Sequence, residues 1–329
     1  MGPTLNRRAV LGCAIALSLS TASHAAETHT FTMGLVGAPT APESDGLRAM
    51  ADYVSSHTDG RITIDIQYAG ALGGEREMLE GVQLGTIDLE FLATAVIGNF
   101  DPDIQILDTP FLYNDLAQAE AVLSGPIGAR LMEPFEAHGF IGLALGGNGF
   151  RQLTNNVRPV LAAEDVDGLK LRTMENPVYV EVWKTLGALP TPMSITEVYP
   201  ALQQGVVDGQ ENPIGAIINN RFDEVQKYVS LINYSFNSAA IVMSPVAWDQ
   251  LSEADRAVMR AGAQEAFRVT FETVAAQQSD GIAHLRSKGL TVEEHPDLQG
   301  FRDRLGPVYD KIYARFGEDR VREIQDYGK

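Results

Sequence analysis

The sequence of 329 residues predicts an α/β chain folded as two similar lobes with a cleft between them, and three observations carry that expectation. Strand-like and helix-like segments alternate along the chain, as they do in α/β architecture. A twelve-residue pattern occurs twice, 120 residues apart: EMLEGVQLGTID over 77–88 and EVYPALQQGVVD over 197–208. Glu77 matches Glu197, Gln83 matches Gln203, Gly85 matches Gly205 and Asp88 matches Asp208. Each copy has the form of an amphipathic helix stopped by a left-handed glycine and followed at once by an apolar strand. The copies are too far apart for a solenoid, so duplicated lobes stand against chance recurrence of a common joint. Third, residues 252–288 form one helical stretch without a proline. At 1.5 Å per residue it would be about 55 Å long, more than one lobe of about 38 Å can cover.

Taken in order, residues 1–25 read as an export leader. Arg7 and Arg8 precede an apolar run over 9–19, and Ser23-His24-Ala25 supplies a small-x-small cleavage site. The run is too short to cross a bilayer, which takes about 20 helical residues. The paired arginines match the twin-arginine route; Asn6 stands where Ser or Thr is usual, so the general secretory route stays open. The only cysteine, Cys13, lies in this segment, which leaves the mature chain without disulfide, redox or thiolate–metal chemistry. The expectation is a periplasmic protein long enough for two domains with real cores.

After the leader, 30–36 reads as a strand. Leu47, Met50, Ala51 and Val54 place a helix over 43–56, closed by Gly60, and Ile62, Ile64 and Ile66 alternate along a strand over 61–68. The first repeat helix opens at Glu75. A helix over 127–138 ends at Gly139, a buried strand follows over 140–145, and Gly146-Gly147-Asn148-Gly149 breaks the pattern at a lobe boundary. Beyond it, 168–174 is a strand, and Asn176-Pro177 caps and opens a helix that ends at Gly187. Ser194-Ile195-Thr196-Glu197 is a capping box for the second repeat helix, and Asn212-Pro213 opens a short one. The alternative to one helix over 252–288 is two, broken near Gly281.

A formal net charge of −18, made more negative when Arg7 and Arg8 leave with the leader, excludes nucleic acid and anionic membrane surfaces as partners. Screening confines that field to roughly 8 Å, so an anion site here needs arginines at contact distance. Enzyme signatures are missing: there is no HExxH, GxSxG, P-loop or nucleophilic cysteine. His57, His138, His284 and His295 are isolated from one another, and no acidic run has calcium-loop spacing. Neither a metal nor a cofactor is expected.

Two arginines remain. Arg151 follows the glycine run, and Arg172 lies in a strand on the same face as Lys170. In α/β sheets ligands collect at the carboxyl ends of strands, and a guanidinium fork holds a carboxylate through two parallel hydrogen bonds. A salt bridge to an acidic neighbour explains either arginine equally. Asn212 is a ligand contact or the N-cap of the next helix, and Glu75 a ligand contact or a helix-dipole residue. Tyr179 and Trp183, four apart on one helix, read as packing.

Several blocks resemble the solute-binding proteins of TRAP transporters, the DctP type. They are GLKLRTMENP over 168–177, LGALPTPMSITEVYPALQQGVVDGQENP over 186–213, GFRQLT around Arg151, LGGEREMLEGVQLGTID from Leu72 and PFLY from Pro110. The resemblance implies a two-lobed periplasmic binding protein fold, its α/β lobes joined by hinge strands and a long helix spanning both. Lobe I would comprise 26–148 plus about 238–275, lobe II 149–237 plus about 276–305, and 306–329 C-terminal helices. The implied function is capture of a small carboxylate ligand by a monomer, without cofactor or catalysis, for delivery to small and large integral-membrane TRAP subunits. Arg172 would clamp the carboxylate, Arg151 and Asn212 would complete the polar grip, and Glu75 would face ligand hydroxyls. Many relatives carry an aromatic residue where this chain has Ile195, which counts against ligands needing a stacked ring. MENPVY is similar to relatives handling sugar acids such as uronates as well as C4-dicarboxylates. Two alternatives stand beside this: a ligand sensor for a receptor, and a secreted hydrolase or lyase using Glu75 or Asp208 as base.

Overall fold

The computed structural model describes Gly2 and residues 28–328, so the leader with Arg7, Arg8 and Cys13 lies outside the described residues. The first lobe begins with β1 (His29–Leu35), α1 (Pro42–His57), β2 (Ile62–Gln67), α2 (Glu75–Leu84), β3 (Leu89–Ala93) and the short α3 (Thr94–Ile97). β1 runs parallel between β2 and β3. α1 buries Leu47, Met50 and Val54 at helical spacing, with Pro42 in its first turn. α2 buries Met78, Leu79 and Val82 and stops at Gly85, whose φ of 75° is left-handed.

α4 (Leu116–Ser124) and α5 (Pro126–Met132) follow, and a 3₁₀ segment over Glu133–His138 leads into β4 (Ile141–Asn155). The single helix expected over 127–138 is thus divided, because Pro134 has no amide hydrogen to continue it. The glycine run does not end the strand as expected. β4 continues through Gly146–Gly149 with register shifts at Gly142/Ala144 and Gly147/Phe150. Those glycines serve close packing instead: a Cβ on Gly146 would lie 2.1 Å from Phe267, and one on Gly147 2.3 Å from Phe236.

The second lobe repeats the first. β5 (Lys170–Thr173), α6 (Pro177–Thr185), β6 (Leu189–Pro192), α7 (Ile195–Gln203), β7 (Gly209–Pro213) and α8 (Ile214–Asn219) come in the same order. β5 runs parallel between β6 and β7, as β1 does between β2 and β3. The repeated aspartate explains why the pattern is shared. Asp88 Oδ2 accepts the Thr32 amide at 2.8 Å, and Asp208 Oδ2 accepts the Lys170 amide at 2.8 Å. Each ties the helix–strand corner to the central parallel strand of its own lobe, so Asp208 is a structural residue. Ser194 does not form the expected capping box. Its Oγ bonds Thr196 Oγ1 at 3.0 Å, and no side chain caps α7.

The chain closes with β8 (Tyr228–Ser230), β9 (Phe236–Met243), α9 (Pro245–Trp248), α10 (Glu253–Ser287), β10 (Thr291–Glu293), α11 (Leu298–Arg304), α12 (Gly306–Phe316) and α13 (Glu318–Asp326). The sheet order is β2-β1-β3-β9-β4-β7-β5-β6, with β8 bridging β4 and β10. β9 and the first part of β4 complete the sheet of the first lobe, and the last part of β4 belongs with β7 and β8. These strands are the covalent hinge. α10 is one unbroken helix of 35 residues, packed on α1 and β4 and then on α8 and β10. Gly281 causes no break; its missing side chain admits Ile214, whose Cγ2 would lie 2.6 Å from a Cβ there. A large apolar core holds the first lobe, the hinge, the C-terminal helices and β5 and α6 of the second lobe, and a smaller one around Val198, Leu202, Ile217 and Phe222 sits beneath α7 and α8.

Candidate functional site

The parallel strands of both lobes point their carboxyl ends at a shared cavity, lined by Gly37, Glu43, Glu75 and Phe91 from one side and by Arg172, Ile195, Asn212 and Asn220 from the other. Asn148, Arg151 and Asn237 from the hinge strands form its floor. The lobes meet around it. Thr40 Oγ1 donates to Asn219 Oδ1 at 2.7 Å, Asn99 Nδ2 to the Glu175 carbonyl at 2.7 Å, and Asn176 Nδ2 to the Ala95 carbonyl at 2.8 Å.

Arg172 enters from the end of β5 and is buried. Its Nε and Nη2 donate to the Met193 carbonyl at 3.0 and 2.7 Å, which fixes the plane of the guanidinium. Nη1 is buried and has no hydrogen-bond partner among the described residues. A buried charged donor left open is costly. Burial, and then the nearby charge of Arg151, lowers the Arg172 pKa to about 10.

Arg151, also brought into the cavity wall, is differently placed. Its Nε pairs with Glu211 Oε2, Nη2 reaches Glu211 Oε1 at 3.0 Å and Asn212 Oδ1 at 3.3 Å, and Nη1 donates to Asn237 Oδ1. The guanidinium lies over the Tyr179 ring, 5.4 Å from its centroid. Burial opposes the Arg151 charge, but Glu211 more than offsets it and holds the group above its ordinary range. Glu211, fully buried, also accepts the Tyr234 hydroxyl at 2.7 Å. Arg151 is therefore mostly committed within the protein.

Asn212 is not the N-cap of α8. It lies within β7, Pro213 occupies the cap position, and its side-chain amide bonds Gln210 and Arg151. Glu75, the first residue of α2, accepts the Ala93 amide through Oε1 at 2.9 Å. Burial raises its pKa, against the opposing effects of that bond and of the Arg172 and Arg151 charges. All four expected site residues thus line one cavity, Glu75 from the first lobe and Arg172, Arg151 and Asn212 from the second lobe and hinge.

Sequence reasoning missed Glu43, Glu211 and the Asn148–Asn237 pair. Glu43, in the first turn of α1, lines the cavity with Asn148, and burial raises its pKa, with the Glu75 charge adding to the rise. Asn237 Nδ2 donates to Asn148 Oδ1 at 2.7 Å. The one local signal was Asn148 itself, a lone amide inside a glycine run. Glu211 carried a weaker one, standing beside Asn212 in a short strand whose two other polar residues are amides.

The family model described as bacterial extracellular solute-binding protein, family 7 (DctP), matches residues 33–315. A solute-binding protein of Verminephrobacter eiseniae is 40% identical over 304 residues, covering 92% of this chain and 90% of that protein. The crystal structure of a TRAP periplasmic solute-binding protein from Polaromonas sp. JS666, bound to D-erythronate, superposes with a TM-score of 0.90 at 42% identity, covering 92% of this chain and all (100%) of that one. The sugar acid binding protein of Advenella mimigardefordensis, in complex with galactonate, gives a TM-score of 0.87 at 30% identity over 91% of this chain and 97% of that one.

Proposed function

The chain belongs to bacterial extracellular solute-binding protein family 7, and from that premise we propose that it captures a small organic acid in the periplasm and passes it to the small and large membrane subunits of a TRAP transporter. Proteins of this family are the substrate-binding components of transporters and not enzymes, which removes the hydrolase and lyase alternative. The relatives' ligands, erythronate and galactonate, are sugar acids, and they supply the first candidates for this chain.

The observation that carries the proposal is the buried Nη1 of Arg172, without a partner among the described residues, in a cavity that Glu75 lines from the other lobe. A ligand carboxylate accepts from that nitrogen on the second lobe while its hydroxyls donate to Glu75 on the first. One small molecule touching both lobes biases the equilibrium toward closure. Arg151 supports the grip electrostatically and Asn212 holds Arg151 in place. The working unit is a monomer whose leader, 1–25, directs export and is cleaved after Ala25. Residues 26–148 with about 238–275 move as one lobe, and 149–237 with about 276–305 as the other, with 306–329 as C-terminal helices.

A thermal-shift panel of aldonates, uronates, dicarboxylates and keto acids on the mature protein tests the proposal, followed by calorimetry on the best binder. Truncating one partner of a buried charge contact costs about 2–5 kcal/mol, and each ~1.4 kcal/mol is tenfold in affinity. Arg172→Ala is expected to lose binding by at least that scale, and Arg172→Lys not to restore it. Wild-type affinity in Arg172→Ala overturns the clamp.

A further inference from the structure

We propose that Glu43 is a specificity-determining residue which, with Glu75, selects a hydroxylated monocarboxylate and turns away a second carboxylate. The inference rests on the acid-binding role of the cleft proposed above and adds which acid the cleft takes.

Glu43 reaches the cavity from the first turn of α1, in the lobe opposite Arg172, and is only 7% exposed. Space has been left for it. A Cβ on Gly37 would lie 2.5 Å from its Oε1, so the loop ahead of α1 passes close only because that residue is glycine. A polar wall also stands in the same cavity: Asn148 lines it with Glu43, Asn237 bonds Asn148, and Arg151 bonds Asn237 while pairing with Glu211. Polar groups thus lead from the buried ion pair of the second lobe to the part of the cavity that Glu43 lines. Favourable interaction with the helix dipole alone asks for none of this, since a surface acid such as the neighbouring Asp45 serves that end of α1 without burial.

The charges decide what fits. Among the residues lining the cavity, the basic ones are Arg151 and Arg172, and Arg151 is matched by Glu211. One uncommitted guanidinium thus faces two carboxyls, Glu43 and Glu75. A ligand whose acid group sits on Arg172 places its other end against that pair. Hydroxyls there donate to ionised carboxylates in short charge-assisted hydrogen bonds. A second carboxylate in their place meets two like charges with no free cation in a low-dielectric cavity.

The test is calorimetry at pH 8 with D-erythronate, succinate and tartrate, so that chain length is held while acid count and hydroxyl count vary. The wild type is expected to bind erythronate at least tenfold more tightly than either dicarboxylate. Glu43→Gln, which keeps the size and removes the charge, is expected to narrow that ratio by tenfold or more. A residue acting only in folding would weaken all three ligands alike and leave the ratio unmoved, and that result overturns the proposal. Should Glu43→Gln not fold, the wild-type ranking still decides: a preference for succinate or tartrate overturns the proposal while leaving the acid-binding cleft intact. Loss of binding of every acid in Arg172→Ala identifies that cleft independently. A wild type that binds no acid sinks both.

Discussion

Removing the unpaired Arg172 and removing the partner of the paired Arg151 should affect stability in opposite ways. Arg172 forms no ion pair at contact distance among the described residues, and burial with the neighbouring Arg151 charge lowers its pKa to about 10 from an ordinary value near 12.5. A folded-state pKa below the unfolded one means that folding works against the charge. The cost is present at every pH below about 10 and fades as pH rises toward the unfolded value. At 1.36 kcal/mol per pKa unit it is of the order of 3 kcal/mol. Arg172→Met removes that cost and forfeits two hydrogen bonds to the Met193 carbonyl, each worth about 0.5–1.5 kcal/mol net. The ligand-free variant should therefore be about as stable as the wild type, while ligand-induced stabilisation disappears. Glu211→Ala does the reverse. It strands Arg151 and the Tyr234 hydroxyl in a dry interior, and breaking a buried pair in this way costs about 3–5 kcal/mol. Urea denaturation with and without D-erythronate measures both quantities. If ligand-free Arg172→Met loses as much stability as Glu211→Ala, Arg172 is a structural residue and the reasoning fails.

Glu90 is buried in β3 with neither carboxylate oxygen partnered among the described residues, and desolvation, with Glu75 and Glu77 adding to it, raises its pKa well above the ordinary range. Above the ordinary carboxylate pKa the folded state holds a proton that the unfolded state has lost, so stability falls as pH rises. Glu90→Gln should flatten that slope in denaturation curves from pH 5 to 9; parallel curves would reject it. Thr40→Val removes the 2.7 Å hydrogen bond to Asn219 between the lobes, worth about 0.5–1.5 kcal/mol, and should weaken ligand affinity two- to tenfold, chiefly through faster release in stopped-flow. An unchanged release rate would show that this contact does not hold the closed form. Gly46→Ala places a Cβ 2.3 Å from the Ala266 carbonyl where α1 crosses α10, and should cost about 1–3 kcal/mol despite alanine's better helix propensity. A gain in melting temperature would contradict that packing.

Local signals carried much of the architecture. Gly85 and Gly205 stop their helices with φ of 75° and 69°, and Asp88 and Asp208 make the same amide contact in each lobe, so the repeat was visible because it performs one structural task twice. Arg172 was legible from its strand and position. Glu211, 60 residues from Arg151, was not, because a pairing across β4 and β7 leaves no trace in either segment alone. Glu43 was hidden for a related reason. An acid in the first turn of a helix already has a local explanation, and its burial against Asn148 depends on two elements far apart in sequence. The glycine run reads as the end of a strand, and β4 instead runs through it, because close packing against Phe236 and Phe267 demands the same residues as a chain break. Asn212-Pro213 misled likewise, since the strand extends through both residues before α8 begins.

The most direct measurement is a crystal structure of the mature protein with D-erythronate in the cleft. The acid group should lie about 3 Å from Arg172 Nη1, with hydroxyls turned toward Glu43 and Glu75. A carboxylate seated against any other residue, with Nη1 still unpartnered, would contradict the account.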